Sequence, residues 1–436
     1  MVPKIKVVWI TEFSNEKIRA KLHFKPNVFE SFVKWFHGEN ITVSHSDLGQ
    51  WITNGIEEFK SFGDVELHVI APFNYLNTSV ARFEIEGIKY YFINNEFRST
   101  KEMILRKINN NHYCQYNKNS KRISDIILRI NPDIIHLIGA ENAHYALSIL
   151  KIPHKFPIIT QLQTFVNDRD FKRNYILNEN VYKQKADAEI KVLRRSDYVG
   201  NKASKYVKLV HEVIDKDKVV LNTTLALSEP INLNPCKKDF DFVYFSKELE
   251  KAGDWAVEAF CLLTKQKPNA TLLMVGEYNL SIYNKLVDRL RIFGVEGSVT
   301  FAGKQKTHDD VIKLVRKARF AVLPLKIDYI SGTIREAMAN GIPVVTTITP
   351  GTPTLNEFRE SVILSEKGDY SAMAENMFLL MEDDSFANKI LQNAAITVKE
   401  ILNNTTEMRH WVDIYRAIIA NKRENLPIPD NFLSKE

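Results

Sequence analysis

Along the chain, short runs of consecutive apolar residues alternate with longer stretches whose apolar positions recur every three or four residues. The short runs predict strands over Ile5–Thr11, Val65–Ala71, Lys89–Ile93, Ile134–Leu137, Phe156–Gln161, Tyr198–Gly200 and Val219–Asn222 in the first half. In the second half they predict Phe240–Phe245, Ala270–Val275, Val299–Ala302, Phe320–Pro324, Val344–Thr347 and Val362–Leu364. The longer period predicts helices over Leu48–Lys60, Thr100–Asn109, Lys118–Asn131, Ala143–Leu150, Lys183–Ser196 and Lys202–Val213. It continues over Gly253–Lys265, Ile282–Phe293, Asp309–Lys317, Ser331–Asn340, Tyr370–Asp383 and Ser385–Asn403. Runs with few polar residues suit strands covered on both faces, and strands alternating with helices make a parallel sheet wrapped by helices.

This grammar runs twice. Between the two passes lies LALSEPINLNPCKKD, Leu225–Asp239, with two prolines and no periodicity. The expectation is an α/β protein of two Rossmann-like, doubly wound domains facing across a cleft. They span residues 1–224 and 240–404, joined by a linker over 225–239. A last helix, Thr405–Lys422, lies beyond the second set of strands, and the segment 405–436 is expected to return to the first domain. In such sheets ligands bind outside the carboxyl ends of the strands.

Composition narrows the class. The 436 residues are 44% hydrophobic and 26% charged, with a net charge of +6, which fits an ordinary soluble protein and makes no case for nucleic acid. Cys114, Cys236 and Cys261 are far apart and form no CxxC, so neither a disulfide framework nor a zinc site is expected, and a reducing cytoplasm fits. The apolar run Val7–Ile10 is too short for a signal segment, and nothing approaches the roughly 18 apolar residues of a membrane span.

The most informative stretch is DYISGTIREAMANGIPVV, Asp328–Val345. It reads as loop, then helix, then strand. Ser331 is a good N-cap, Gly341 ends the helix and Pro343 starts the next strand. The amides of Ser331, Gly332 and Thr333 would be free donors at a positive helix end, which suits a phosphate. Glu336, one turn in, can accept two ribose hydroxyls, and Asp328 in the loop can accept sugar hydroxyls. A capping acid beside a surface acid is the alternative on spacing alone.

The same stretch resembles the E-x7-E signature of retaining GT-B glycosyltransferases, group 1 (family 4). REAMANGIPVV is nearly intact, while Asp328 stands where the family has Glu and ISGT replaces the usual GFGL. YFSKELEKAGDWAVEAF, Tyr244–Phe260, is similar to the family's strand–loop–helix that carries an Arg and a Lys on the donor diphosphate. Lys251 falls at the Lys position and Lys247 close to the Arg position, a point charge in place of a guanidinium fork. NATLLMVGE and VTFAGK match the next two strands, and the resemblance implies base contacts around Gly276, Gly303 and Lys304.

In the first half, HSDLGQWITNGIEEF resembles the loop and helix that approach the donor phosphates, with Gly49 the close-approach residue. NPDIIHLIGAENAHYAL resembles the acceptor-side strand and loop. Its Glu141 and Asn142 are the site candidates, and His136 reads as a packing residue. In PIITQLQTFVND, Gln163 occupies the segment where many members carry a histidine near the donor sugar. A glutamine can orient a hydroxyl but cannot act as a base.

The resemblance implies transfer of a hexose from a nucleoside diphosphate sugar, a uridine diphosphate sugar being favoured, to a glycan or lipid-linked acceptor in surface polysaccharide or glycolipid synthesis. It implies retention by a front-face route, with no cofactor and no metal. The alternative is a non-catalytic GT-B subunit that binds nucleotide or glycan and partners with an active transferase. An epimerase or phosphorylase on the same architecture stands third.

Other classes lack their signatures. No G-x-G, G-x4-G-K-[ST] or G-x-S-x-G occurs, against a nicotinamide dehydrogenase, a P-loop nucleotidase and an esterase. The pairs Asp168/Asp170, Asp215/Asp217 and Asp239/Asp241 sit in polar turns rather than in a metal grip. The stretch Phe97–Arg129 is basic, with Lys118, Lys121, Arg122 and Arg129 in its second half. It is either a solvated helix or a peripheral contact with anionic lipid at the inner membrane face.

Overall fold

The computed structural model describes residues 4–24, 47–74, 76–95, 116–168, 179–223, 231–326, 330–400 and 402–436. Asp328, His45, the expected helix Thr100–Asn109 and the first half of the Phe97–Arg129 stretch lie outside them. The chain divides into two compact units, Met1–Leu225 with Thr405–Glu436, and Ala226–Asn404. Each is built on one predominantly parallel sheet.

Among the described residues the first unit holds eight strands: β1 (Ile5–Ile10), β2 (Val65–Phe73), β3 (Val80–Ile85), β4 (Ile88–Asn94), β5 (Ile134–Ile138), β6 (Ile158–Gln161), β7 (Tyr198–Gly200) and β8 (Val220–Leu221). Their order is β3-β4-β2-β1-β5-β6-β7-β8, with only β3 antiparallel to its neighbour. All five residues of β5 are buried, as expected for a central strand covered on both faces.

The helix Asn404–Glu424 belongs to this unit. It buries Trp411 and Tyr415 against β1 and β5. Trp9 Nε1 donates to the Tyr415 hydroxyl at 3.0 Å, and that hydroxyl lies 2.6 Å from His136 Nδ1. The ring of His136 is also 4.7 Å, centroid to centroid, from that of Trp411. His136 is thus a core residue. Burial holds its pKa at about 3, so the ring is neutral, and the tyrosine donates to Nδ1. The tail beyond this helix covers the β8 edge, with Asn222 N donating to Phe432 O and Ser434 N to Val220 O.

The second unit holds β9 (Phe240–Glu248), β10 (Leu272–Glu277), β11 (Val299–Gly303), β12 (Ala318–Leu323), β13 (Val344–Thr347) and β14 (Ile363–Ser365). Their order is β11-β10-β9-β12-β13-β14, all parallel. Phe242–Phe245 of β9, Leu272–Val275 of β10 and Ala321–Leu323 of β12 are buried in one continuous core. Residues 231–239, within the expected linker, lie along this unit. Asn232 N donates to Ala339 O, and Arg316 Nη2 to Asn234 O.

Of the three Asp pairs, Asp170 lies outside the described residues, and the described members Asp168, Asp215 and Asp241 have structural roles. Asp168 pairs with Lys205 at 2.6 Å, Asp215 accepts from the Asp217 amide, and Asp241 accepts from Thr271 N and Oγ1.

Candidate functional site

Every described candidate of the second unit stands at or just beyond the carboxyl edge of its six-stranded sheet. β9 runs longer than its apolar pattern, through Glu248, so Lys247 lies on the strand's last residues. Its side chain is 55% exposed, and its Nζ is 4.0 Å from Glu248 Oε1. A 3-10 turn, Leu249–Lys251, then carries the exposed Lys251. Ala252 N donates to the Tyr244 hydroxyl at 3.2 Å, fixing the turn to the strand before it. The helix Gly253–Leu263 follows, and Asp254 in its first turn pairs with Lys326 at 2.9 Å, just past β12.

Gly276 sits where the β10 register slips against β9, between Val275 and Glu277. Its φ is +153°, and a β-carbon there would lie 2.3 Å from Ser246 O. The glycine is required by the close approach of two strand ends. Gly303 has φ +67° with open space around it, and Lys304 pairs with Glu277 at 2.9 Å on the surface.

After β12 the chain is pinned at Leu325. Leu325 N donates to Thr347 Oγ1 at 2.8 Å, and Thr347 Oγ1 donates back to Leu325 O at 2.7 Å. Arg335, buried, donates to Ile330 O at 3.2 Å. Ser331 caps the helix Gly332–Ala339, accepting from Thr333 N, and its Oγ is 2.8 Å from Thr333 Oγ1. Ile334, Ala337 and Met338 bury one face in the core, which leaves Glu336 on the other, 14% exposed. Its Oε1 would lie 3.6 Å from a β-carbon on Gly332, so the carboxylate folds back over the first turn. The arrangement offers helix-end amides for an anion and a carboxylate for hydroxyls on one short helix.

In the first unit the candidates also line a carboxyl edge. Gly49, φ +66°, precedes the helix Gln50–Phe59; a β-carbon there would lie 3.1 Å from Glu12 O in the loop after β1. Beyond β5, Gly139 has φ +95° and is covered by three polar groups. Asn142 Nδ2 donates to Glu141 Oε1 at 2.8 Å and to the Tyr145 hydroxyl at 3.0 Å, and that hydroxyl donates to Ile138 O. Glu141 Oε2 is buried without a hydrogen-bond partner. Burial raises this carboxyl to about pKa 8, with the Glu189 charge adding to the rise. Glu189 is raised to about 7 by burial as well, although it accepts from Val166 N and Asn167 N. Gln163, partly exposed, follows β6.

Sequence reasoning passed over His308, Lys326 and Thr347. His308 opens the helix His308–Val315 beyond β11, and its Nε2 is 3.8 Å from Glu336 Oε1. The signal was present: Thr307 with Asp310 three residues on is a helix start, placed right after a strand end.

Residues 240–383 match the family model described as Glycosyl transferases group 1. The chain is 23% identical over 223 residues to the N-acetyl-alpha-D-glucosaminyl L-malate synthase of Bacillus anthracis, covering 51% of this chain and 56% of that protein. It thus spans little more than half the length of that relative. Sucrose-phosphate synthase from Thermosynechococcus elongatus superposes with a TM-score of 0.66 at 14% identity, covering 96% of this chain and 100% of the other. Anabaena Alr3699/HepE, solved in complex with UDP and glucose, superposes with a TM-score of 0.61 at 13% identity, covering 94% and 98%. The parallel sheets of the two units are, with these neighbours, those of the GT-B architecture with two Rossmann-like domains.

Proposed function

We propose that the chain is a retaining hexosyltransferase that uses a nucleoside diphosphate sugar, a uridine diphosphate sugar first among them. Its acceptor is a glycan or lipid-linked hydroxyl in surface polysaccharide or glycolipid synthesis. The observation that carries this reading is the capped helix Gly332–Ala339 at the carboxyl end of β12, with Ser331, Gly332 and Glu336 on its open turn, inside the segment that matches the family. The UDP complex of one structural neighbour favours the uridine nucleotide.

In this reading the Ser331–Thr333 amides, Lys247 and Lys251 neutralise the diphosphate as it departs. Preformed donors aimed at developing charge are a large source of rate. Glu336 holds the ribose. Asp328 and Gln163 meet the hexose, Gly276, Gly303 and Lys304 the base, and Gly49 the phosphates. Glu141 and Asn142 lie on the acceptor side. No residue here serves as a paired general base, so the leaving phosphate takes the acceptor's proton, and the reaction proceeds without a resident metal. Contact of Lys118, Lys121 and Lys151, which share an open hollow, with anionic lipid would suit a lipid-linked acceptor.

The second reading, a nucleotide- or glycan-binding subunit without activity, is favoured by Asp328 in place of a glutamate, Lys247 in place of an arginine and Gln163 in place of a histidine. Donor turnover by the purified chain separates the two. Within the first reading, Glu336→Gln should lose most nucleoside diphosphate binding. Asp328→Asn should bind the diphosphate normally and discriminate poorly between sugars. Equal loss of nucleotide affinity in both would refute the assigned division of labour.

A further inference from the structure

Two elements of the second unit converge on Glu336. Its own helix follows β12; the helix His308–Val315 follows β11. Thr307 sets the start of the latter by accepting from Asp310 N, which places His308 in the first turn, at the carboxyl edge of the sheet. His308 Nε2 and Glu336 Oε1 are 3.8 Å apart, with the two side chains 15% and 14% exposed. On its other side the carboxylate lies over Gly332, its Oε1 3.6 Å from where a β-carbon would stand.

The separation of 3.8 Å is too long for a direct hydrogen bond. It suits one hydroxyl oxygen placed about 2.8 Å from each atom, a normal hydrogen-bond length on both sides. Such a hydroxyl would donate to the carboxylate and accept from the imidazole N–H. A bridging water can make the same two hydrogen bonds, and a ribose hydroxyl that displaces it adds the contacts of the rest of the nucleotide, whereas a second carboxylate is repelled by Glu336. We infer that His308 is a donor-binding residue that, together with Glu336, clasps one hydroxyl of the donor's ribose. This rests on the reading that Glu336 holds the ribose. It adds a residue on a different element, and it makes the grip specific for an intact ribose rather than for any nucleoside diphosphate.

The test is calorimetric titration of the full chain with UDP, 2′-deoxy-UDP and 3′-deoxy-UDP, with ADP and GDP alongside. Should ADP or GDP bind instead, its own deoxy forms replace those of UDP. The wild type should bind one deoxy nucleotide about tenfold more weakly than its parent, the scale of one hydrogen bond to a charged group. His308→Phe keeps a flat ring but has no N–H. It should bind the parent about tenfold more weakly and that deoxy nucleotide as the wild type does. His308→Gln, which restores an N–H donor, should recover part of the loss.

If His308→Phe and His308→Gln both bind the parent nucleotide as tightly as the wild type while Glu336→Gln does not, the inference is overturned and the ribose role of Glu336 stands. If Glu336→Gln binds normally, or the wild type binds no nucleoside diphosphate, the underlying reading fails and this inference with it. Should His308→Phe unfold at a lower temperature than the wild type, His308→Gln decides the matter by the same criteria.

Discussion

A β-carbon on Gly276 would stand 2.3 Å from the carbonyl oxygen of Ser246, one residue before Lys247. Gly276→Ala must therefore push β10 and β9 apart at their carboxyl ends. The cost should be on the order of 1–3 kcal/mol, as for other overpacked sites. Gly303→Ala meets open space and only a left-handed φ of +67°, so it should cost about 1 kcal/mol. Denaturant midpoints of the two variants check the order.

The strands with continuous apolar runs were legible because burial on both faces removes any need for alternation. β5, fully buried, is an example. The edge strand Val80–Ile85 was not, since it alternates and leaves Arg82 and Glu84 to solvent. Its hairpin turns on Glu86 and Gly87, both at positive φ, and Glu-Gly is a weaker turn signal than Asn-Gly.

In the second unit, the cap at Ser331 and the outward face of Glu336 were legible from local periodicity. Thr347 was not, because it acts on a residue brought near only by the sheet, and although Thr307 and Asp310 mark a helix start at His308, its nearness to Glu336 comes only from the sheet. Gly276 was legible as a glycine of consequence, but the Ser246 carbonyl that demands it comes from a neighbouring strand.

Acid should act through His136. Its folded pKa is about 3, against an ordinary value near 6.5, so between those values the unfolded chain binds a proton that the folded chain refuses. Stability contributed by the neutral ring is fully present above about pH 6.5 and falls by about 1.4 kcal/mol per unit as pH drops toward 3. A His136→Phe variant lacks this titration. The stability difference between wild type and variant, followed by urea unfolding, should shift against the wild type over that window.

Glu141 should act in the opposite sense. Its folded pKa of about 8 lies above the usual carboxylate value, so the folded chain keeps a proton that the unfolded chain releases. Its contribution is fully present below about pH 4.5 and is lost as pH rises through 8. Glu141→Gln should gain on the wild type as pH climbs from 5 to about 9, read from unfolding midpoints. Equal pH profiles would show that the carboxyl is solvated.

Lys251→Ala should lower kcat/KM for the donor by roughly a hundred- to a thousandfold, the range for loss of one group that stabilises developing charge. Lys247→Ala should act in the same direction. Because Lys247 is 55% exposed, its effect should be the smaller and should shrink further in high salt. Transfer should persist in excess chelator, measured with the identified donor.

The most direct measurement is the configuration of the sugar first released when the full chain turns over its donor. UDP-glucose and other α-linked nucleoside diphosphate hexoses can be followed by proton NMR before the free sugar equilibrates, with and without acceptor. The account predicts that at least one such donor is turned over, and that the first product carries the α configuration. A first product of β configuration would contradict retention, and no turnover of any nucleoside diphosphate sugar, with nucleotide still bound, would favour the inactive binding subunit.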